Sequence, residues 1–192
     1  MRITGGTARN RKLKTPKPGG RNSLRPTSDR VREALFSILG EHVYGARVLD
    51  LFTGTGSLGL ETLSRGADFV VFVDQLPQSL KLVQKNILLC FHQARTEIIR
   101  LNLENKASFQ TIHNKFAEHK AFNLIFLDPP YEKKLAEKAL TMVEKTGLLA
   151  ADGIVVAEER WNVTLPEQIG MLSLTKKRRY GETGIWIYQQ KN

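Results

Sequence analysis

A single cysteine, Cys90, stands among 192 residues, so no internal disulfide is available to hold the fold. It lies in Ile87-Leu88-Leu89-Cys90-Phe91, where a thiol reads as a small buried apolar group. The four histidines have no metal-like spacing and no cysteine pair beside them, so no metal site is expected. No apolar stretch approaches the roughly 18 residues that span a bilayer. The first residues lack the apolar core of a secretory leader. Repeats and low-complexity tracts are missing as well. These absences predict a soluble, cytoplasmic monomer. At 41% hydrophobic and 25% charged residues, the chain has the composition of a globular domain with a full core.

Charge is present in excess but is spread unevenly. Residues 1–33 hold ten Lys/Arg and two acids. Residues 34–170 hold fourteen cations and sixteen acids, so the middle of the chain is slightly acidic. Residues 171–192 hold five cations and one acid. The net charge of +10 therefore belongs to the two ends. Basic ends around a neutral body fit a polyanion partner, with nucleic acid favoured over tails that only keep the chain soluble. Arg9, Arg11, Lys12 and Lys14 are candidate phosphate contacts, with Lys176-Lys177-Arg178-Arg179 as the alternative source of them.

Apolar runs give the order of elements. Strands are predicted near 46–51, 69–73, 96–101, 122–127 and 153–157. Helices are predicted near 57–65, 77–91, 105–118, 132–146 and 165–169. A helix capped by Thr27 or Ser28 and stopped near Gly40 precedes them, and residues 1–23 are expected to include a small hairpin. Strands near 171–179 and 183–189 turn at Gly181 and close the chain. Alternating strand and helix predicts an α/β fold with a doubly wound, mostly parallel sheet and an antiparallel C-terminal edge. The expected division is a basic N-terminal extension, 1–40, followed by one α/β domain, 41–192. Trp161 and Trp186 read as packing residues. Arg30 and Arg32 fall on a helix, where a solvated face explains them as well as RNA contact does.

The most informative tetrapeptide is Asp128-Pro129-Pro130-Tyr131, directly after Leu124-Ile125-Phe126-Leu127. A run of this kind bounded by a turn reads as a buried parallel strand. Two prolines fix φ and remove two backbone donors, so the turn offers carbonyls without N–H groups. A carboxylate precedes the turn and an aromatic ring follows it. An exocyclic amine on a planar base has two hydrogens to satisfy and a face to stack. The Asp128 carboxylate and the Pro129 carbonyl are predicted to hold the hydrogens, and Tyr131 the ring, at about 1–3 kcal/mol per stacked base. Positive charge that develops on the amine during alkyl transfer is stabilised by the same acceptors. In open α/β sheets, ligands bind at the C-terminal ends of strands, where this turn falls.

A second motif lies upstream. Arg47-Val48-Leu49-Asp50-Leu51-Phe52 runs into Thr53-Gly54-Thr55-Gly56-Ser57-Leu58-Gly59, a strand, a glycine turn and a helix start. Gly54 and Gly56 permit a close backbone approach to a ligand. Asp74 ends the next strand, 20 residues after Gly54, and is placed to accept from ribose hydroxyls. This much fits a dinucleotide as well as an adenosyl cofactor. Asp50 weighs against the dinucleotide, because a carboxylate there repels a pyrophosphate. It suits an ammonium and a sulfonium, with a Coulomb term of order 4 kcal/mol at about 4 Å.

Val48-Leu49-Asp50-Leu51-Phe52-Thr53-Gly54-Thr55-Gly56, together with Asp128-Pro129-Pro130-Tyr131, resembles the class I S-adenosylmethionine-dependent methyltransferases that modify exocyclic amines. Leu24-Arg25-Pro26-Thr27-Ser28-Asp29-Arg30-Val31-Arg32-Glu33-Ala34-Leu35-Phe36 resembles the entry segment of the bacterial 16S ribosomal RNA guanine-N2 methyltransferases of the RsmD type. Arg2-Ile3-Thr4-Gly5-Gly6, Arg11-Lys12-Leu13, Leu58-Gly59-Leu60-Glu61 and Tyr180-Gly181-Glu182-Thr183 fit the same family. The resemblance implies a seven-stranded sheet in which the first and fourth strands are neighbours, bringing Asp50 and Asp128 to one crevice. It implies S-adenosyl-L-methionine as cofactor and 16S rRNA in the small ribosomal subunit as partner. The candidate cofactor residues are Asp50, Phe52, Thr53, Gly54, Gly56, Asp74, Gln75, Asn102 and Leu103. Asn102 stands where many methyltransferases have Asp, and its amide oxygen still accepts from an adenine amine. The candidate catalytic residues are Asp128, Pro129, Pro130 and Tyr131. Arg25 and Thr27 are expected to fold over the cofactor or to guide the RNA, and Arg30 joins the candidate RNA contacts.

Three other readings stay open at this point. A nicotinamide dehydrogenase shares the glycines and Asp74 but leaves the Asp-Pro-Pro-Tyr turn without a role. An adenine-N6 or cytosine-N4 methyltransferase acting on DNA or another RNA uses the same turn, usually with a larger target-recognition insertion. A catalytically silent RNA-binding module keeps the basic ends but has no use for Asp50 and Asp74.

Overall fold

The computed structural model describes residues 1–16, 28–117, 121–130 and 134–190. By packing, the chain divides into Met1–Arg100 and Leu101–Asn192. Tyr131, Arg25 and Thr27 lie outside the described residues.

The first unit contains three parallel strands, β1 (Arg47–Leu51), β2 (Phe69–Asp74) and β3 (Thr96–Arg100), with β2 in the middle. Val48, Leu49, Leu51 and Val70 to Val73 are fully buried. Apolar side chains on both sides of the pleat are what a sheet covered on both faces requires. Three helices accompany these strands: α1 (Asp29–Leu39), α2 (Ser57–Ser64) and α3 (Pro77–Cys90). Ser28 caps α1 by accepting from the Val31 N–H, and Pro77 occupies the first turn of α3, where its missing N–H costs nothing.

The expected N-terminal hairpin is present as a bridge between Arg2 and Lys12. It is fastened to α2. Glu61 accepts from the Thr4 N–H at 2.8 Å, the Thr4 hydroxyl at 2.7 Å and the Gly5 N–H at 2.8 Å. The same carboxylate accepts from Arg32 Nε at 3.3 Å and Arg65 Nε at 2.9 Å. Both Glu61 and Arg32 are fully buried. Arg32 is therefore not part of a solvated face: it also donates to the Arg2 carbonyl and pairs with Asp29 at 2.9 Å. A buried charge needs this degree of compensation to be tolerated. Gly6 (φ +75°) has no room for a side chain, because a Cβ there meets the Ser64 carbonyl. Further on, Asn86 ties Lys14 to the glycine turn, accepting from the Lys14 N–H and donating to the Lys14 and Thr55 carbonyls.

In the second unit, β4 (Phe122–Leu127) and β5 (Leu149–Arg160) run parallel. Then β8 (Thr183–Gln190) pairs antiparallel with β5, β7 (Leu172–Tyr180) with β8, and β6 (Gln168–Ile169) with β7. Helices α4 (Ala107–Phe116) and α5 (Leu135–Thr146) complete the unit. The α/β class, the parallel pairs and the C-terminal hairpin around Gly181 (φ +63°) are as expected. Three details differ. The described residues hold eight strands rather than seven, the extra one being β6. β6 falls where a helix over 165–169 was expected. Five residues are too few for a stable helical nucleus, and Gly170 (φ +55°) turns the chain so that Gln168 pairs with Ser173. β5 begins four residues early, with a register shift: Phe122 pairs with Leu149 and Leu124 with Ile154, so Ala150 to Gly153 stand against the single residue Asn123.

Candidate functional site

In the first unit the candidate residues gather where β1 gives way to α2. The chain enters the left-handed region three times in five residues, at Phe52 (φ +62°), Gly54 (φ +54°) and Gly56 (φ +77°). Phe52 does so with a side chain, a strain of about 1–3 kcal/mol that is characteristic of functional turns. The curl is held from within. Thr53 N–H donates to the Val73 carbonyl at 3.0 Å, and Gly56 N–H donates to the Thr53 carbonyl at 2.7 Å. Gly54 N–H donates to Asp74 Oδ2 at 3.0 Å, and Leu76 N–H to Asp74 Oδ1 at 2.8 Å. Asp74 thus uses one lone pair on each oxygen to fix its own orientation, and a second remains on each for an outside donor.

Asp50 is buried and accepts twice on Oδ2, from the Thr53 hydroxyl at 2.8 Å and the Gly59 N–H at 3.0 Å. Oδ1 receives neither bond. Gly59 is required by this approach: a Cβ there lies 2.3 Å from a Phe72 ring carbon and 2.9 Å from Asp50 Oδ2. Burial pushes the Asp50 carboxyl up to about 7, the two hydrogen bonds oppose the rise, and the charge of Asp74 adds to it. Gln75 is exposed next to Asp74, with its carbonyl accepting from Arg100 Nε at 3.2 Å.

This arrangement discriminates between cofactors. A pyrophosphate needs free N–H groups in the turn. Here the N–H groups of Gly54, Gly56 and Gly59 are already given to Asp74, Thr53 and Asp50. Two carboxylates line the place a phosphate would occupy. A ligand that brings an ammonium for Asp50 and ribose hydroxyls for Asp74 fits instead. S-adenosylmethionine carries both groups, and the residues present fit it.

In the second unit, Asn102 accepts from the Glu104 N–H at 3.0 Å through its own amide oxygen. Its carbonyl accepts from the Ser108 hydroxyl at 2.7 Å. Leu103 is buried beside it. β4, buried along Leu124 to Leu127, delivers Asp128 to its C-terminal end, half-buried, followed by buried Pro129 and exposed Pro130. Reasoning from sequence overlooked what stands next on the neighbouring strand. Leu127 pairs with Ala157, and two buried carboxylates, Glu158 and Glu159, follow Ala157. Burial raises the Glu159 carboxyl above its ordinary range, against the pull of the Arg160 N–H and guanidinium. Among the described residues no cluster of three or more His, Cys, Asp or Glu is disposed to hold a metal. No helix among them is long and apolar enough to cross a membrane.

Of the candidate RNA contacts, Arg9, Arg11, Lys12, Lys14 and Arg30 are all exposed. The first four lie in the fastened N-terminal segment, not on a loose tail. Arg11 Nη1 donates to the Leu89 carbonyl at 2.8 Å.

The parallel α/β pairing and the antiparallel C-terminal strands are those of a Rossmann-like, class I methyltransferase. The Escherichia coli protein yhhF, at 30% identity, superposes with a TM-score of 0.82 over all of this chain and 98% of its own. The family described as "Conserved hypothetical protein 95" matches residues 1–189, and the chain belongs to it, the RsmD family. Ribosomal RNA small subunit methyltransferase D of Escherichia coli (strain K12) is 32% identical over 191 residues, covering 100% of this chain and 90% of the relative. YlbH of Bacillus subtilis (strain 168) is 36% identical over 191 residues, the full length of both.

Proposed function

We propose that this protein transfers a methyl group from S-adenosyl-L-methionine to the exocyclic N2 amine of a guanine in 16S ribosomal RNA. The substrate is an assembled or partly assembled small subunit in the cytoplasm. The observation that carries the reading is a pair of acids with opposite duties. Asp50 is shaped for a cationic ligand, with one oxygen tied to the glycine turn. Asp128 leaves a buried strand into a proline turn that has no N–H of its own at Pro129 or Pro130. The similarity to ribosomal RNA small subunit methyltransferase D supports the choice of substrate.

When bound, the cofactor supplies an electrophilic methyl on sulfur. Asp50 would hold the ammonium end and Asp74 the ribose hydroxyls. The Asp128 carboxylate and the Pro129 carbonyl accept the two amine hydrogens and turn the nitrogen lone pair outward. Transfer would form the N–C bond as the sulfonium's S–C bond breaks, and the electron pair would stay on sulfur. The nitrogen becomes cationic against Asp128, which then accepts the surplus proton.

Tritiated S-adenosylmethionine incubated with small subunits, naked 16S RNA and duplex DNA tests the reading. Nucleoside mass spectrometry of the product then identifies the base. Label in N2-methylguanosine from small-subunit RNA is expected. Label in N6-methyladenine or N4-methylcytosine overturns the guanine assignment, and no label in any RNA overturns the function.

A further inference from the structure

The basic run Lys176 to Arg179 lies on β7, and among the described residues none of its four cations has a carboxylate partner within ion-pair distance. Along the strand, side chains alternate between faces. Lys177, whose neighbour on β8 is Trp186, and Arg179, whose neighbour is Gly184, share one face. Lys177 Nζ lies 4.4 Å from the centre of the Trp161 ring and 5.0 Å from that of Trp186. The Arg179 guanidinium lies 5.6 Å from the Trp161 ring. The two indoles are 6.2 Å apart and tilted by 31°. Trp186 is fully buried, and its Nε1–H finds no acceptor among the described residues. That ring is present for its faces and not for its donor. Gly184 makes room for it, because a Cβ there lies 2.3 Å from the indole. Trp161 is only half-buried.

The ladder also fixes where this cluster stands relative to the proline turn. Leu127, Ala157, Trp186 and Lys177 occupy one row across β4, β5, β8 and β7. Three inter-strand steps of about 4.8 Å place Lys177 roughly 14 Å from the residue that precedes Asp128. A chain leaving the target base along this row meets the half-buried indole within a few nucleotides. An aromatic face with cations beside it is what an unstacked strand requires: a surface for a base and charge for its phosphates.

We propose that Trp161, braced by Trp186 and flanked by Lys177 and Arg179, is a stacking and phosphate-binding platform for the single-stranded RNA next to the target nucleotide. The proposal rests on the RNA reading above and assigns that partner a surface in the second unit. Packing alone explains two tryptophans, but it does not explain four successive cations with no carboxylate partner among the described residues, two of them gathered over the indoles.

The test uses the full-length protein and a fluorescein-labelled single-stranded oligouridylate of about 12 nucleotides, within the site sizes known for such surfaces. Anisotropy titrations at several salt concentrations give affinity and salt slope. Lys177→Gln with Arg179→Gln is expected to weaken binding at least tenfold and to lower the log–log slope by about 0.7 per lost contact. Trp161→Ala is expected to weaken binding roughly five- to hundredfold, and Trp161→Phe to restore most of it. Melting temperatures identify variants that fail to fold. If Trp161→Ala is one of them, the Lys/Arg pair and Trp161→Phe carry the test. Affinity and slope within twofold of wild type in folded variants overturn the platform and leave an internal cation–π brace. Methyl transfer to small subunits, run in parallel, separates the two readings. A raised KM with an unchanged cofactor affinity supports the platform. Transfer with an unchanged KM in the double variant sinks the platform but not the function. Platform-dependent binding without any methyl transfer does the reverse.

Discussion

The two halves of the chain spend their positive charge differently. In Met1–Arg100, the arginines at 2, 32, 65 and 95 each pair with a carboxylate, and Arg32 and Glu61 do so fully buried. In Leu101–Asn192, Lys176 to Arg179 pair with none among the described residues, and two of them lie over indole rings instead. Net charge does not separate these cases, since both ends of the chain are basic. Pairing does: a cation consumed by a buried carboxylate is architecture, and an uncompensated one is available to a polyanion. The acids divide too. Asp50 and Asp74 of the first half hold a turn together and are assigned to the cofactor, whereas Asp128 of the second is assigned to the amine.

The comparison can be broken most sharply at its structural end. Glu61→Ala leaves Arg32 buried without its central partner and should cost about 3–5 kcal/mol in urea unfolding. A loss below 1 kcal/mol would mean that the N-terminal segment is not held by this carboxylate. Asp50→Asn should act in the opposite direction. Unfolded, the carboxyl titrates near its ordinary 3.8; folded, near 7. Between those values the folded chain keeps a proton that the unfolded chain has released. The stability tied to Asp50 is therefore complete below about pH 4 and is lost as pH rises to about 7. Asn carries no such dependence, so the variant should gain up to about 4 kcal/mol over wild type at pH 8, at 1.36 kcal/mol per pH unit. Unfolding curves from pH 5 to 8 check the sign, and equal slopes in both proteins would refute it. The same variant should bind S-adenosylmethionine more weakly.

Asp128→Ala should retain cofactor binding by calorimetry while turnover falls by roughly a hundred- to thousandfold, the scale for removing one preorganised transition-state partner. An active variant would move the chemistry elsewhere. Asp74→Ala belongs to the other half and should lose about 1.5–3 kcal/mol of cofactor affinity without a change in RNA affinity. Wild-type affinity would end the ribose assignment. The smallest effect is expected at the N-terminus. Neutralising Arg9, Arg11, Lys12 and Lys14 should lower the salt slope of RNA binding by roughly 0.7–0.9 per lost contact. Parallel slopes would leave the C-terminal run as the main phosphate contact.

Much of the architecture was legible because its strands are short apolar runs between glycine, proline and charge. The ends of β1, β2, β3, β4 and β8 fall within a residue of expectation. β6 was not legible, since two residues have no period. The start of β5 was hidden by polar Asp152 next to Gly153. The glycine turn and Asp50 were recognisable, but not how Asp50 is satisfied, because Gly59 becomes its donor only once α2 has formed. Arg32 looked like a surface cation because its partner is 29 residues away. Trp161 and Trp186 read as packing residues, but the cations of β7 that lie over their rings were not legible, because no local pattern announces a cluster drawn from distant strands.

The Glu61 carboxylate also sets an order of events during synthesis. Its hydroxyl partner on Thr4 lies 57 residues upstream, and its Gly5 partner 56. Thr4 and Gly5 leave the ribosome well before Glu61, so these three bonds wait until α2 has emerged. Closing a loop of that length adds little to the equilibrium cost, about 0.6 kcal/mol per doubling, but non-local contacts of this kind slow folding. Thr4 and Gly5 are thus made early and fixed late, and the hairpin acts as a latch whose catch is the α2 helix.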